Sequence, residues 1–203
     1  ARIVNFFMVP LYSAVLPTHS YGRASEIMAY IALLQVVLLF GFETGFFRYA
    51  NKHKEQAEKV FSTAFIFVSF LSVIFLALTI TGSVKLAEIS GYAPYILIYT
   101  AIILGSDSIT SILFTRLRFQ NRPWRFAMLR SIKIGSEILF NLILFFLLPI
   151  YFKSHPESWL LNFMPAHASY EYIILAIFLS CIVALALFIP EIIKIHLKWD
   201  KEL

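Results

Sequence analysis

The stretch GFETGFFRYA, residues 41–50, closes the second long apolar run of the chain and is the starting point for the fold that we predict. It places a carboxylate, Glu43, about a turn and a half inside an apolar segment, which then ends at Arg48. Gly41 and Gly45 lie four residues apart on one helix face, a spacing that lets a second helix approach closely. An acid, a close-packing face and a cationic end are an unusual combination within one membrane span.

The composition around this stretch is that of a membrane protein. Of 203 residues, 60% are hydrophobic and 14% are charged, and the mean hydropathy is +0.78. A soluble domain carries about 25% charged residues, so we expect a polytopic membrane protein. The net charge of +5 matters less than the positions of the charges, and we expect no nucleic-acid partner. The single cysteine, Cys181, lies in an apolar run, which predicts a small buried hydrophobe.

Six apolar segments follow one another, and their lengths require helices, because a helix satisfies its own backbone hydrogen bonds in lipid. The predicted fold class is therefore all-α, a polytopic membrane helix bundle with six transmembrane segments. The first segment is shorter than the roughly 20 residues that a span needs. Since the chain begins with Ala1 rather than Met, we expect this segment to be the second half of a truncated span. The predicted segments are residues 3–16, 26–47, 60–82, 93–113, 126–152 and 170–193.

The polar stretches between these segments are predicted to be loops. In the longest of them, SWLLNFM (residues 158–164) is expected at the membrane interface, because it mixes aromatic and polar side chains. The predicted loops are THSYGRAS (18–25), residues 48–59, a short loop with Lys85, Glu88 and Gly91, TRLRFQNRPWRF (115–126) and residues 153–169.

Lysine and arginine residues alternate between the two ends of these segments. Only Arg23, Lys85 and Lys153 fall on one side, and the rule that cytoplasmic loops are basic places the opposite side in the cytoplasm. The arginines of residues 115–126 also allow contact with anionic membrane lipids. The cytoplasmic residues would be Arg2, Arg48, Lys52, Lys54, Lys59, Arg116, Arg118, Arg122, Arg125, Arg130, Lys194, Lys198 and Lys201.

The remaining basic residue, Lys133, lies inside the fifth segment. Glu137 and Asn141 follow at four-residue intervals, so the three share one helix face, and Glu137 lies near the bilayer midplane. Asp107 in the fourth segment lies at a similar depth, with Ser111 on its face. Each charge at this depth costs about 2.5–3.5 kcal/mol, so these groups should face a wet cavity or one another.

Two interpretations of this group stay open. In the first, Lys133 pairs with Glu137 or Asp107 and fixes the packing of two helices. In the second, the group lines a path for a substrate or an ion, which is the commoner reason for ionisable residues inside a membrane. For Glu43 the structural and the functional interpretation are equally balanced, because this carboxylate is close enough to the cytoplasmic face to be hydrated there.

Motifs for chemical catalysis are absent from the sequence. It contains no GxxxxGK[ST] phosphate loop, no HExxH and no Cys/His cluster, and its histidines are scattered. We therefore expect neither an enzyme nor a bound metal or cofactor.

Two motifs resemble the amino-terminal signature of bacterial polysaccharide flippases of the multidrug/oligosaccharidyl-lipid/polysaccharide exporter superfamily. The first is PLYSAVLPTHSYG (residues 10–22), and the second is GFETGFFRYA. RPWRFAMLR (122–130) is similar to that family's loop between helices four and five, and LKWDKEL (197–203) to the linker before helix seven. The matching positions are Pro10, Leu11, Tyr12, Leu16, Tyr21, Gly22, Gly41, Glu43, Arg48 and Tyr49.

This resemblance implies a transporter of two six-helix lobes around a central cavity, in the bacterial cytoplasmic membrane. Residues 1–203 would be the amino-terminal lobe, and a second lobe would be its partner. The implied substrate is an oligosaccharide repeat unit linked to polyprenyl pyrophosphate. Its head group would cross through the cavity by alternating access, driven by an ion gradient or the membrane potential.

A pyrophosphate carrier should present cations to its cavity, and Lys133 and Arg48 are the candidates, with Arg130 at the cytoplasmic mouth. The acids in the same segments leave open a second hypothesis, a cation-coupled drug antiporter in which Asp107 or Glu137 takes H⁺ or Na⁺. A third hypothesis is a membrane enzyme or assembly subunit of envelope polysaccharide synthesis without transport activity. The candidate substrate-binding residues are Lys133, Arg48, Glu137, Asp107, Asn141 and Glu43, of which Arg48 and Glu43 are expected at the cytoplasmic rim.

Overall fold

The computed structural model describes residues 2–154 and 169–193, and all regular secondary structure in this part of the chain is helical. The all-α prediction is thereby confirmed. The helices, in chain order, are α1 (Arg2–Val15), α2 (Thr18–Leu39), α3 (Phe42–Lys52), α4 (Ala57–Ser90), α5 (Pro94–Phe119), α6 (Pro123–Leu142), α7 (Leu148–Ser154) and α8 (Tyr170–Ile193).

Five helical stretches of the described residues are long and apolar enough to cross a membrane, which indicates a membrane protein. Two of them combine consecutive helices, α2 with α3 and α6 with α7. Helix α1 has 14 residues, fewer than the roughly 20 that a span requires. The sixth, truncated span and the membership of a two-lobe transporter therefore stay predictions. The five stretches are Thr18–Lys52, Lys54–Ser90, Pro94–Phe119, Pro123–Ser154 and Tyr170–Ile193.

The second segment was predicted as one continuous helix, and the structure breaks it at Phe40 and Gly41. Both residues have left-handed backbone angles, with φ of 45° and 74°. Gly41 adopts this conformation without steric cost because it has no Cβ, and α3 starts in a new direction at Phe42. The helix then continues past Arg48 to Lys52, so Arg48 does not end it.

The expected close-packing face of Gly41 and Gly45 is also wrong. A Cβ built at either glycine would meet no other described atom within 4 Å. Helix α3 instead packs through Phe46 and Ala50, which are buried against α4 and α5. The backbone turn at Gly41 explains the difference, because it rotates the following residues away from the face that a continuous helix would present.

Several predicted loops are helical. THSYGRAS forms the start of α2, so the first connection shrinks to the bend at residues 16–17. Helix α4 extends to Ser90 and ends at Gly91, whose φ is 70°, so Lys85 and Glu88 belong to a helix. Residues 54–56 form a 3-10 turn, and α5 continues to Phe119 before a short turn leads into α6. These stretches are polar because they are the ends of helices that extend beyond the apolar segments, and not because they are loops.

The stretch Pro123–Ser154 changes its helical form about two-thirds of the way along its length. Residues Ile143–Leu147 form a π-helical turn between α6 and α7, in which Leu148 donates to the Ile143 carbonyl. The wider turn precedes Pro149, whose ring would clash with the carbonyl four residues earlier in a regular α-helix. The change lies beyond Asn141, so it leaves the predicted face of Lys133, Glu137 and Asn141 intact.

Helix α5 is the centre of the bundle. In the most apolar part of each membrane-crossing stretch, 56% of α5 and 50% of α8 is buried inside the bundle. The corresponding share is 11% for the stretch of α2 and α3 and 17% for that of α6 and α7. Helix α5 packs against α2, α3, α4, α6 and α8. The bundle thus surrounds α5 and leaves most of α2 and α6 uncovered.

The two ends of the bundle differ in composition, and we name them by their residues. The basic end contains α3, the start of α4, the α5–α6 turn and the last turns of α8, which meet in a core of phenylalanine and leucine residues. The tyrosine end contains the start of α2, the α4–α5 turn and the start of α8, with Tyr92 and Tyr170 in contact. The predicted interfacial segment SWLLNFM and the basic residues Lys194, Lys198 and Lys201 lie outside the described residues.

Candidate functional site

An ion pair joins α6 to the central helix α5. The Lys133 ammonium of α6 donates a hydrogen bond to the Asp107 Oδ1 of α5. The thiol of Cys181 on α8 donates to the same carboxylate oxygen over 3.3 Å. Three helices therefore converge on Asp107, and Lys133 selects this partner rather than Glu137. Burial of Cys181 is confirmed, and its thiol has a polar role that composition did not indicate.

Glu137 lies one turn from Lys133 on the same cavity wall. It forms no ion pair with another described residue. Asn141, one turn further, is fully buried and has both ends of its amide occupied. Its Oδ1 accepts from the Tyr12 hydroxyl at 2.8 Å, and its Nδ2 donates to the Glu137 carbonyl at 2.8 Å. Asn141 thus ties α1 to α6 and does not line the cavity, which corrects its assignment as a substrate ligand.

Glu43 is connected to the same face of α5. The Ser111 hydroxyl, one turn from Asp107, donates to Glu43 Oε1 across the α3–α5 contact. Ser111 lines the cavity, whereas Glu43 lies behind it and lines no part of it. Its place in the first turn of α3 is favourable for a carboxylate, because the helix dipole is positive there.

Arg48 is not brought to this group. Its side chain is exposed on α3 and is absent from the cavity wall, so the structure does not support it as a cavity cation. Arg130, which lines the cavity one turn from Lys133, takes that place. Arg130 was expected at the cytoplasmic mouth, and its three-residue spacing from Lys133 on one helix predicts that the two share a face.

A cavity of about 360 Å³ lies between α2, α5, α6 and α8, and Asp107, Lys133 and Glu137 line it. Its polar wall combines both signs of charge with an amide and two hydroxyls. Gln35 on α2 was missed in the sequence, because a single glutamine in an apolar run carries no periodic signal. The polar lining residues are Gln35, Asp107, Thr110, Ser111, Arg130, Lys133 and Glu137.

At the tyrosine end, Arg23 of α2 is held by contacts to α8 and to the α4–α5 turn. Its guanidinium lies 5.1 Å from the Tyr92 ring centre and 5.6 Å from that of Tyr170, and it donates to the Gly91 carbonyl at 3.1 Å. The Tyr92 hydroxyl donates to Glu26 Oε2 at 2.7 Å. Burial and this hydrogen bond raise the pKa of Tyr92 above its ordinary range. This network closes the end of the bundle opposite to the basic end.

Within residues 2–154 and 169–193 no group of three histidine, cysteine or acidic residues is arranged to hold a metal ion. The cavity wall offers hydrogen bonds and charges of both signs to a polar group, and its Glu137 carboxylate has no ion pair with another described residue. Comparison with protein-family models, curated proteins and solved structures gives no match for this chain.

Proposed function

We propose that this chain is the amino-terminal lobe of a transporter that flips polyprenyl-pyrophosphate-linked oligosaccharides across the bacterial cytoplasmic membrane for surface polysaccharide export. The observation that carries the proposal is the charged cavity between helices long enough to span a bilayer. Charged groups inside a membrane are costly, and a water-filled path for a polar substrate is their commonest use. The resemblance of residues 10–50 to polysaccharide flippases supplies the substrate class.

The cavity chemistry supports a substrate that is both hydroxylated and anionic. Sugar hydroxyls find donors and acceptors in Gln35, Thr110 and Ser111. A pyrophosphate needs cations, and Arg130 and Lys133 lie one turn apart on α6. Because Asp107 already neutralises Lys133, an anionic head group would have to displace Asp107 in order to use it.

A double-mutant cycle on this ion pair tests the proposal. Lys133→Ala, Asp107→Ala and the double variant are made in the full-length protein, in a strain that needs this gene for surface polysaccharide. If Lys133 binds the head group, the single Lys133 variant loses polysaccharide export by tenfold or more, and the double variant restores folding but not export. Lys85→Ala, an exposed lysine of α4, is the matched control and should export normally.

The same cycle has an outcome that contradicts the proposal. If the pair only fixes α5 against α6, removing both charges relieves the unpaired Asp107 and returns export to the wild-type level. Membrane insertion is measured for every variant, so that loss of protein is not counted as loss of transport.

A cation-coupled small-molecule antiporter is the second candidate, and the position of Glu137 favours it. This carboxylate lines the cavity without an ion-pair partner in the described residues, as a site for H⁺ or Na⁺ would require. In proteoliposomes with an imposed H⁺ or Na⁺ gradient, Glu137→Gln should abolish gradient-driven drug efflux. Glu88→Gln, which alters an exposed acid of α4, should leave it unchanged. Efflux that ignores both gradients would count against this candidate.

A further inference from the structure

The basic end contains more arginine than its carboxylates neutralise. Arg116 pairs with Glu58 at 2.7 Å, and Arg125 pairs with Glu191 at 2.7 Å. These contacts link α5 to α4 and α6 to α8. Around the α5–α6 turn, three further arginines form no ion pair with a described residue: Arg118, Arg122 and Arg130.

Two of these three arginines converge on one aromatic ring. The guanidinium carbons of Arg118 and Arg130 lie 5.7 Å and 5.8 Å from the ring centre of Phe126. Arg130 also lies 5.9 Å from the Phe114 ring, and Arg118 donates to the Thr115 hydroxyl at 3.1 Å. The two rings pack edge to face at 5.3 Å, which gives both guanidiniums a shared, rigid support.

The two guanidiniums can still bind an anion. Two cations near one ring repel each other, and each gains only a weak attraction from the ring at an exposed site. Contact with a ring face leaves N–H groups at the edge of each guanidinium available, apart from the one that Arg118 donates to Thr115. Those edges match phosphate oxygens in pairs, and a bound anion would turn the repulsion into attraction.

The pair is continuous with the cavity. Arg130 and Phe114 line it, and Lys133 lies one turn deeper on α6. Arg118 is exposed at the last turn of α5, outside the cavity wall. The cations thus lead from the surface of the basic end, past Phe126, to the ion pair of Lys133 and Asp107.

We propose that Arg118, Arg130 and Phe126 form a binding site for the diphosphate group of a lipid-linked head group at the basic mouth of the cavity. The lipid-linked source rests on the proposed function, whereas the diphosphate chemistry rests on the two guanidiniums alone. Bound there, the diphosphate sits at the entrance while the attached polar group faces Gln35 and Ser111. Arg118 and Arg130 are then the first cations that the substrate meets, and Lys133 is the next.

Binding of inorganic pyrophosphate to the purified full-length protein in detergent tests the site. Arg118→Gln and Arg130→Gln should each weaken binding about tenfold, the loss expected for one charge-assisted contact. Phe126→Leu keeps every charge and should still weaken binding about threefold, because the guanidiniums lose their support. Arg122→Gln is the matched control: it removes one arginine from the same turn and should change binding less than twofold.

Two results would overturn the site. Equal losses for Arg122→Gln, Arg118→Gln and Arg130→Gln, with no effect of Phe126→Leu, would mean that the basic end attracts anions only through its overall field. The second is measured in phosphatidylcholine nanodiscs that contain about 20% phosphatidylglycerol: full displacement of pyrophosphate from the same two arginines would assign the site to bilayer phospholipid instead.

The site and the proposed function can fail separately. Intact pyrophosphate binding with no flipping of lipid-linked oligosaccharide in proteoliposomes would reject the flippase and leave the phosphate site in place. Flipping that is unchanged in the Arg118→Gln, Arg130→Gln double variant would reject the role of the site and leave the flippase in place.

Discussion

The two ends of this bundle use arginine in opposite ways. At the tyrosine end, Arg23 lies against two aromatic rings and donates to a backbone carbonyl, with Glu26 bonded to the neighbouring Tyr92. At the basic end, Arg118 and Arg130 also lie against aromatic rings, but no described carboxylate pairs with either. Arg23 forms no ion pair within the described residues either, but the Gly91 carbonyl accepts from it and the nearby Glu26 carboxylate interacts with its charge. The difference teaches that a stacked arginine stabilises the fold where a carbonyl and a carboxylate of the fold lie close to it, and is available to a ligand where only rings and a hydroxyl do.

The comparison implies that contacts at the tyrosine end contribute more to stability. Tyr92→Ala should have the largest effect, because this side chain is only 5% exposed and links Arg23, Glu26 and Tyr170. We expect a loss of about 3 kcal/mol, the lower range for truncating a buried aromatic. Thiol labelling of Cys181 on heating reports unfolding, since this single cysteine is 1% exposed in the folded chain.

Trp124→Ala is the control for that measurement at the basic end. This aromatic is 88% exposed in the first turn of α6, so its loss should leave the melting temperature nearly unchanged. Equal destabilisation by the two substitutions would contradict the contrast between the ends.

A smaller difference is expected between the two kinds of arginine. Arg23→Gln removes a hydrogen bond and two ring contacts and should cost about 1–2 kcal/mol. Arg130→Gln should change stability by less than about 0.5 kcal/mol, because the lost ring contacts are offset by relief of its repulsion with Arg118. The same thermal labelling of Cys181 measures both variants, and a larger cost for Arg130 would mean that its role is structural.

Much of the helical layout was predictable because its signals are local. Apolar length predicted the spans, and the last of them, residues 170–193, has the predicted bounds. The helical period correctly placed Lys133, Glu137 and Asn141 on one face. The break at Phe40 and Gly41 was missed, because a glycine in an apolar run is compatible with both a straight helix and a left-handed turn.

The sequence predicted which residues belong to the candidate site better than it predicted which of them contact one another. Asp107 and Lys133 were placed at similar depth, yet depth alone left Glu137 equally eligible as the partner of Lys133. Asn141 looked like a cavity ligand until Tyr12 of α1 was seen to occupy its amide. Arg48 looked like a cavity cation until α3 turned it outward, and Arg130 replaced it.

By itself, the sequence determined that the chain forms long apolar helices, which side of them is basic, and which ionisable residues lie deep within them. These properties follow from composition and from the 1.5 Å rise and 3.6-residue turn of a helix. Only the tertiary structure decided that Lys133 meets Asp107, that Asn141 meets Tyr12, and that Arg118 and Arg130 share Phe126. Such pairs depend on how each helix is rotated and crossed against its neighbours, and no local pattern encodes that rotation.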